Sequence, residues 1–211
     1  MRSWEPRLTA PDGGYVRGSS IAFDAQSPNT IYCALVSQIF VSRDAGDTWT
    51  SMTVIPDCNR VNAIVFSPRD SNVIVAAVSG ATRRVIKSDD RGRTWITTLT
   101  HAFGEYGIPL EADPDHPDTL FFGGDDDVLY RSTDGGKNWS PWSTTRFRSP
   151  CDIVVVPDST NVVVIGDGIT AEGEGKYWKS EDGGVTFSGQ VDAPVRVVGD
   201  SRARLLEASQ L

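Results

Sequence analysis

The segment Ser88-Asp-Asp-Arg-Gly-Arg-Thr-Trp95 decides the fold, because its pattern occurs four times along the chain. Consecutive copies begin 46, 44 and 48 residues apart. The other three copies are Ser42–Trp49, Ser132–Trp139 and Ser180–Phe187. A pattern of S-x-D-x-G-x-(T/N)-(W/F) at this near-constant spacing indicates a repeat architecture, in which each copy marks one structural unit.

The residues around each copy predict four strands, which we label A to D. In the second repeat the apolar runs are Val61–Phe66, Val73–Val78, Arg84–Lys87 and Thr94–Thr100, and the repeated segment lies between C and D. A turn rich in Pro, Asp and Asn precedes each segment by about 18 residues and separates A from B. Four antiparallel strands without a helix are typical of a propeller blade. Strand A, near the axis, is expected to be buried on both faces.

The sequence therefore predicts an all-β propeller in a single domain. It has four complete blades. A partial blade at the N-terminal end supplies a lone strand D, and a partial blade at the C-terminal end supplies a strand A. The predicted blades cover 15–55, 61–100, 106–145 and 151–191, and the partial ones 1–10 and 195–211. Two explanations of the partial blades stay open: a fragment of a longer propeller, or a fifth blade closed by both ends.

Each repeated segment is predicted to be structural, with glycine in a tight hairpin, Asp and Ser bonding its amides, and the aromatic ring packing between blades. The residues assigned this role are Ser42, Asp44, Gly46, Trp49, Ser88, Asp90, Gly92, Trp95, Ser132, Asp134, Gly136, Trp139, Ser180, Asp182, Gly184 and Phe187.

This pattern is the Asp box, or BNR repeat, and the chain resembles the Asp-box β-propellers. That group includes bacterial sialidases, xyloglucan-cleaving endoglucanases, sortilin-type receptors and a photosystem II assembly factor. The regular spacing and the turn Asp113-Pro-Asp-His-Pro-Asp-Thr119 are more similar to the endoglucanase and sortilin branches than to sialidases. The resemblance implies the fold strongly and the activity weakly.

Composition limits the function classes. The 211 residues carry 28 acidic and 20 basic side chains, a net charge of −8, which argues against a nucleic-acid partner. No run of 18 apolar residues predicts a membrane span, and the first 20 residues lack the apolar segment of a secretory signal. An extracellular or periplasmic location is expected only if the chain is part of a longer secreted protein. Cys33, Cys58 and Cys151 form neither a zinc pattern nor a disulfide framework.

Candidate site residues lie in the D–A and B–C connections, which meet on the usual ligand face of a propeller. Asp127 and Asp167 are the predicted catalytic pair, since glycosidases need two carboxylates flanking the bond. Both are expected to be solvent-exposed and unpaired. In the endoglucanases that the chain resembles, one catalytic Asp comes from a B–C connection, but the two acids come from two propellers. A calcium-binding loop at Asp125–Asp127 and a plain solvated loop are the alternatives.

Further ligand-binding residues are predicted on the same face. Arginines at the starts of strands A would clamp a carboxylate, and aromatic rings would stack on sugars. The predicted ligand-binding residues are Asp125, Asp126, Arg17, Arg60, Tyr106 and Arg148; Trp142 and Trp178 are further aromatic candidates, the latter more typical of packing between blades. No cofactor and no metal other than that calcium alternative is predicted.

Three functions stay open. The leading interpretation is a recognition or scaffold module of a glycan-binding or glycan-processing protein, with a polysaccharide, oligosaccharide or protein on the ligand face. The alternatives are a glycoside hydrolase of endoglucanase or sialidase type, and a protein-binding assembly scaffold.

Overall fold

The fold is described from a computed structural model for residues 6–8, 20–104, 109–125, 128–147, 150–167 and 176–192. Sixteen strands in this part of the chain form four antiparallel four-stranded sheets, each built from strands consecutive in sequence. We call them blades 1 to 4. The predicted all-β architecture of four-stranded Asp-box blades is confirmed.

The strand bounds follow the repeat. Blade 1 consists of β1 (Ile21–Phe23), β2 (Ile31–Leu35), β3 (Gln38–Ser42) and β4 (Thr50–Val54). Blade 2 consists of β5 (Arg60–Phe66), β6 (Ile74–Ser79), β7 (Arg84–Ser88) and β8 (Ile96–Thr100). Blade 3 consists of β9 (Leu110–Ala112), β10 (Leu120–Gly123), β11 (Leu129–Ser132) and β12 (Ser140–Pro141). Blade 4 consists of β13 (Pro150–Val155), β14 (Val163–Asp167), β15 (Lys176–Ser180) and β16 (Ser188–Asp192).

The predicted strands of blade 2 agree with these bounds within one residue, except at the start of strand D. Strand β8 begins at Ile96, two residues later than expected. Thr94 belongs to the box hairpin instead, because its amide and hydroxyl both bond the Asp90 carboxylate. A threonine held in this way is unavailable to the ladder with β7.

The expected burial of strand A on both faces holds in blade 2 but not in blade 1. In β5 every residue from Val61 to Ile64 is buried. In β1, by contrast, Ile21 and Phe23 are exposed. The two strands have the same apolar pattern, so the difference comes from what packs on them.

The chain divides into two compact units, Met1–His101 with Gly135–Lys137, and Ala102–Asp134 with Asn138–Leu211. The first unit is built around an apolar cluster between blades 1 and 2, which includes Tyr32, Ile39, Ile64 and Phe66. The second contains a corresponding cluster between blades 3 and 4, which includes Phe121, Leu129, Ile153 and Ile165. The single-domain division stays a prediction. Most of 1–10 and all of 195–211 lie outside the described residues.

Candidate functional site

Each blade has two edges with different chemistry. At one edge the A–B turn contacts the Asp box: the amides of Ala45, Arg91 and Gly183 donate hydrogen bonds of 2.8–2.9 Å to the carbonyl oxygens of asparagines in the A–B turns of their own blades. We call this the box edge. The B–C and D–A connections lie at the other edge, which we call the ligand edge because the predicted binding residues belong to it.

The box carboxylates bond their own hairpins. In the second box, Asp90 Oδ1 accepts from the Thr94 amide and from the Ser88 hydroxyl, both at 2.8 Å. Asp90 Oδ2 accepts from the Thr94 hydroxyl at 2.6 Å. The Gly92 amide donates to Ser88 Oγ at 2.8 Å, and the positive φ of 79° at Gly92 suits glycine. In the third box Asn138 replaces this threonine and donates through its amide nitrogens to Asp134.

These hydrogen bonds keep the box carboxylates ionised. The threonine hydroxyl and amide, followed by the serine hydroxyl, lower the pKa of Asp44, Asp90 and Asp182 to about 2 in each case. A carboxyl group with so low a pKa is a poor general acid near neutral pH. Both oxygens of each group already accept hydrogen bonds inside the turn, so the boxes supply turn stability rather than an acid–base pair.

The ligand edge of blade 3 presents an exposed carboxylate on a fixed backbone. The Asp125 amide donates to the Ala102 carbonyl at 2.9 Å, and the Gly124 amide donates to the Val128 carbonyl at 3.1 Å. The first bond ties the B–C connection to the D–A connection that precedes the blade, and the second closes the B–C connection on itself. Asp125 is exposed at this position, as a ligand-contacting residue must be.

Asp167 differs from the prediction that it is exposed and unpaired. It is the last residue of β14 rather than part of a loop, and only 6% of its surface is exposed. Its Oδ2 accepts a hydrogen bond of 3.0 Å from Trp178 Nε1. Asp167 shares a face of blade 4 with Ile165, so the strand register turns it toward the apolar cluster between blades 3 and 4.

The two tryptophan candidates are both packed. The Trp178 ring lies edge-to-face with Phe147, with 6.0 Å between centroids. Trp142 Nε1 donates to the Gly183 carbonyl at 2.8 Å, and the Arg131 guanidinium lies 4.3 Å from the centre of the Trp142 ring. Trp142 therefore belongs to the box edge, and its ring face is covered by a cation. Sequence reasoning missed this pair, although Arg131 directly precedes the box serine.

The remaining site predictions are placed as follows. Arg60 begins β5 at the ligand edge and is half-buried. The other predicted residues, namely Arg17, Tyr106, Asp126, Asp127 and Arg148, lie outside the described residues. The described residues contain no group of three His, Cys, Asp or Glu side chains suited to a metal ion. Calcium binding at Asp125–Asp127 stays a prediction, since two of its three carboxylates lie outside that part of the chain.

Two cysteines of the described residues are buried or half-buried. Cys33 and Cys58 are free thiols, and burial raises the pKa of both, that of Cys58 to about 11. Both are therefore protonated and weakly reactive near neutral pH.

No helix among the described residues is long and apolar enough to cross a membrane.

The family described as sortilin, neurotensin receptor 3 (Sortilin-Vps10) matches residues 37–149, more than half of the chain. The chain belongs to the Sortilin-Vps10 family. This match covers three of the four Asp boxes.

The chain is also similar in sequence to xyloglucanases. The chain is 27% identical to a xyloglucanase of Paenibacillus sp over 88% of its length, and 26% identical to a xyloglucanase of Hypocrea jecorina over 85%. It spans 22% and 23% of the length of these two proteins. The predicted resemblance to Asp-box propellers of xyloglucanase and sortilin type is thus confirmed.

Solved structures agree on the fold. The Niastella koreensis GH74 enzyme superposes with a TM-score of 0.64 at 24% identity, covering 83% of this chain and 29% of that one. The structure of YCF48 bound to D1 peptide superposes with a TM-score of 0.58 at 19% identity, covering 85% and 55%. The fold class is a β-propeller of Asp-box blades, and the sequence similarities relate it to glycan-processing propellers.

Proposed function

We propose that the chain is a glycan-recognition module of a xyloglucan-active Asp-box propeller. The observation that carries the proposal is the similarity to xyloglucanases across 85–88% of this chain. The proposed contacts come from the residues predicted for the ligand edge: Asp125, Asp126, Asp127, Arg17, Arg60, Tyr106 and Arg148. Carboxylate and guanidinium groups hydrogen-bond sugar hydroxyls, and an aromatic ring stacks on the pyranose face.

The module is expected to bind without cleaving. Glycoside hydrolysis needs two carboxylates on either side of the bond, one of them able to protonate or attack. Asp167 is buried and bonded to Trp178, which leaves it poorly placed for attack on a bound sugar. Asp125 is an exposed carboxylate at the ligand edge, and a carboxylate without a partner acid on the other side of the bond recognises a glycan without completing the reaction.

Calorimetric titration with xyloglucan oligosaccharides tests the proposal. Saturable binding is expected, with weaker binding to unbranched cello-oligosaccharides. Asp127→Asn should weaken binding, whereas Asp47→Asn should not, because Asp47 is an exposed carboxylate at the box edge. Absence of binding by the unaltered chain would refute glycan recognition. Release of reducing sugar from xyloglucan, lost in Asp127→Asn, would instead establish the glycoside hydrolase alternative.

The second candidate is a protein-binding scaffold, favoured by the Sortilin-Vps10 match at residues 37–149. A scaffold needs a broad rigid face and no sugar-specific groups. The titration separates the two candidates, because a scaffold gives no heat with any β-glucan oligosaccharide and its Asp127→Asn variant behaves like the unaltered chain.

A further inference from the structure

The connection between β2 and β3 of blade 1 is a two-residue turn that contains a strained valine. The turn consists of Val36 and Ser37, because Leu35 pairs with Gln38 in the ladder. The angle φ is positive at Val36, at 56°, but not at Ser37. This is the pattern of a type II′ turn, which favours glycine as its first central residue. A β-branched side chain with a positive φ crowds its own backbone, so the valine strains the turn.

The other left-handed positions carry residues that fit them better. Among the described residues, none of the other non-glycine residues with a positive φ is β-branched: Ala45, Asp57, Arg91 and Asp158. The position of Ala45 in the first Asp box is occupied by Gly135 and Gly183 in the third and fourth boxes, also with a positive φ. At Val36, by contrast, a branched apolar side chain stands where the backbone favours glycine.

Hydrogen bonds to the following connection hold this turn in place. The Val36 carbonyl accepts from the Val61 amide, and the Ser37 carbonyl accepts from the Ile55 amide, both at 2.8 Å. The turn is thus bonded to both ends of the D–A connection between blades 1 and 2, and it cannot relax without losing these bonds. Strained residues persist where the surrounding structure fixes them, and they occur preferentially at ligand-binding sites.

The ligand edge around the turn combines apolar and polar side chains. Val36 is 36% exposed, and Val54, the last residue of β4, is 59% exposed. Asp57 and Asn59 are exposed in the D–A connection, and the half-buried Arg60 follows them. We call these five residues the valine corner. A pyranose ring presents the same two kinds of surface, apolar C–H groups on its faces and hydroxyl groups around its rim.

Blade 2 fixes the polar part of the valine corner. Arg84 Nη2 donates to the carbonyl oxygens of Pro56 and Asp57, both at 2.9 Å. Gly80 lies so close that a Cβ on it would be 2.2 Å from the Asp57 carbonyl oxygen. The backbone that carries Asp57 is therefore held before any ligand arrives, which lowers the entropy cost of binding.

We propose that Val36 is a glycan-contacting residue, and that the valine corner binds a pyranose unit of the β-glucan ligand. This inference rests on the proposed glycan recognition and adds a sugar-binding position in blades 1 and 2. Val36 and Val54 contact the ring C–H groups, while Asp57 and Arg60 bond its hydroxyl groups. Glycine at position 36 would satisfy the turn but present no apolar surface to the sugar.

Calorimetric titration of Val36→Gly with xyloglucan oligosaccharides tests the contact. Binding should be about fivefold weaker, because the apolar surface that the sugar covers is lost. The melting temperature should be unchanged or higher, since relief of the strained turn offsets the loss of the side chain. The matched control is Ala45→Gly, which replaces an exposed residue with φ of 59° at the box edge. It should raise the melting temperature and leave binding unchanged.

A second variant separates the sugar contact from the turn. Val54→Ser removes the other apolar side chain of the valine corner without changing a left-handed residue, and it should also weaken binding. Unchanged binding by Val36→Gly, or an equal loss in Ala45→Gly, would overturn the role of Val36. A lower melting temperature of Val36→Gly would also overturn it, by showing that the valine supports the fold.

The titration of the unaltered chain distinguishes this inference from the proposed function. If the unaltered chain binds no xyloglucan oligosaccharide, glycan recognition is refuted, and the sugar contact of Val36 with it. If the unaltered chain binds and both valine variants bind equally well, glycan recognition stands and only the valine corner is refuted.

Discussion

The Thr53 hydroxyl of blade 1 donates a hydrogen bond of 2.7 Å to the Gly92 carbonyl in the box of blade 2. In the first box the corresponding carbonyl, that of Gly46, accepts from Trp49 Nε1 at 3.0 Å. Trp95 Nε1 has no hydrogen-bond partner although it is buried. The Gly92 carbonyl therefore accepts from the neighbouring blade, whereas the Gly46 carbonyl accepts from its own box tryptophan.

The first prediction concerns these two tryptophans. Trp49→Phe should destabilise the fold more than Trp95→Phe by about 0.5–1.5 kcal/mol, because only Trp49 loses an indole hydrogen bond. Urea denaturation of the two variants measures the difference. Thr53→Val removes the donor that bonds the Gly92 carbonyl. In that background Trp95→Phe should lower the free energy of unfolding by more than it does in the unaltered chain. A double-mutant cycle that shows no coupling between Thr53 and Trp95 would contradict this explanation.

The second prediction is an acid sensitivity that comes from the boxes. Asp90 has a pKa of about 2 in the folded protein, below its ordinary value of 3.8. As the pH falls from about 4 to about 2, the unfolded chain binds protons first, so the stability that Asp90 contributes is present above this range and lost within it. The difference in melting temperature between the unaltered chain and Asp90→Asn should therefore shrink as the pH falls from 6 to about 2.

The control for this pH series is Asp47→Asn, which changes an exposed carboxylate of the first box hairpin that accepts no side-chain hydrogen bond from a threonine there. The difference in melting temperature between Asp47→Asn and the unaltered chain should stay constant as the pH falls. A constant difference between Asp90→Asn and the unaltered chain down to the lowest pH would contradict the role given to the Thr94 hydrogen bonds.

The third prediction compares two glycines at equivalent strand positions. A Cβ on Gly123 would lie 2.2 Å from the Pro150 carbonyl oxygen, whereas on Gly166 it would first meet the Asp152 Cβ at 3.2 Å. Backbone cannot move as readily as a side chain, so Gly123→Ala should cost about 3 kcal/mol or more and Gly166→Ala about 1 kcal/mol. Chemical denaturation measures both, and an equal cost would show that β13 shifts freely. Alanine already occupies this position in blades 1 and 2, as Ala34 and Ala77.

The repeat made the fold predictable from the sequence. Four boxes at constant spacing specify four hairpins, and the apolar runs between them specify the strands, as the agreement at Arg84–Ser88 illustrates. The burial of Asp167 was not predictable in the same way. It depends on the strand register that places it opposite Pro150 and beside Trp178, and a Gly-Asp-Gly sequence reads as a loop. Likewise, the exposure of Phe23 depends on what packs on β1, which no local pattern records.

The last prediction concerns Asp167, whose buried carboxylate accepts from Trp178 Nε1. Asp167→Ala should destabilise blade 4 by about 1–3 kcal/mol, because it leaves the indole N–H unpaired in an apolar setting. Asp167→Asn keeps an amide oxygen as acceptor and should cost less, and Trp178→Phe in the Asp167→Ala background should recover part of the loss by removing the unpaired donor. Thermal and urea unfolding measure all three, with Asp125→Ala as the exposed control at the ligand edge. If the Asp167→Ala variant is as stable as the Asp125→Ala variant, the Asp167 carboxylate is not held by Trp178. Asp167 would then be restored as a candidate catalytic acid.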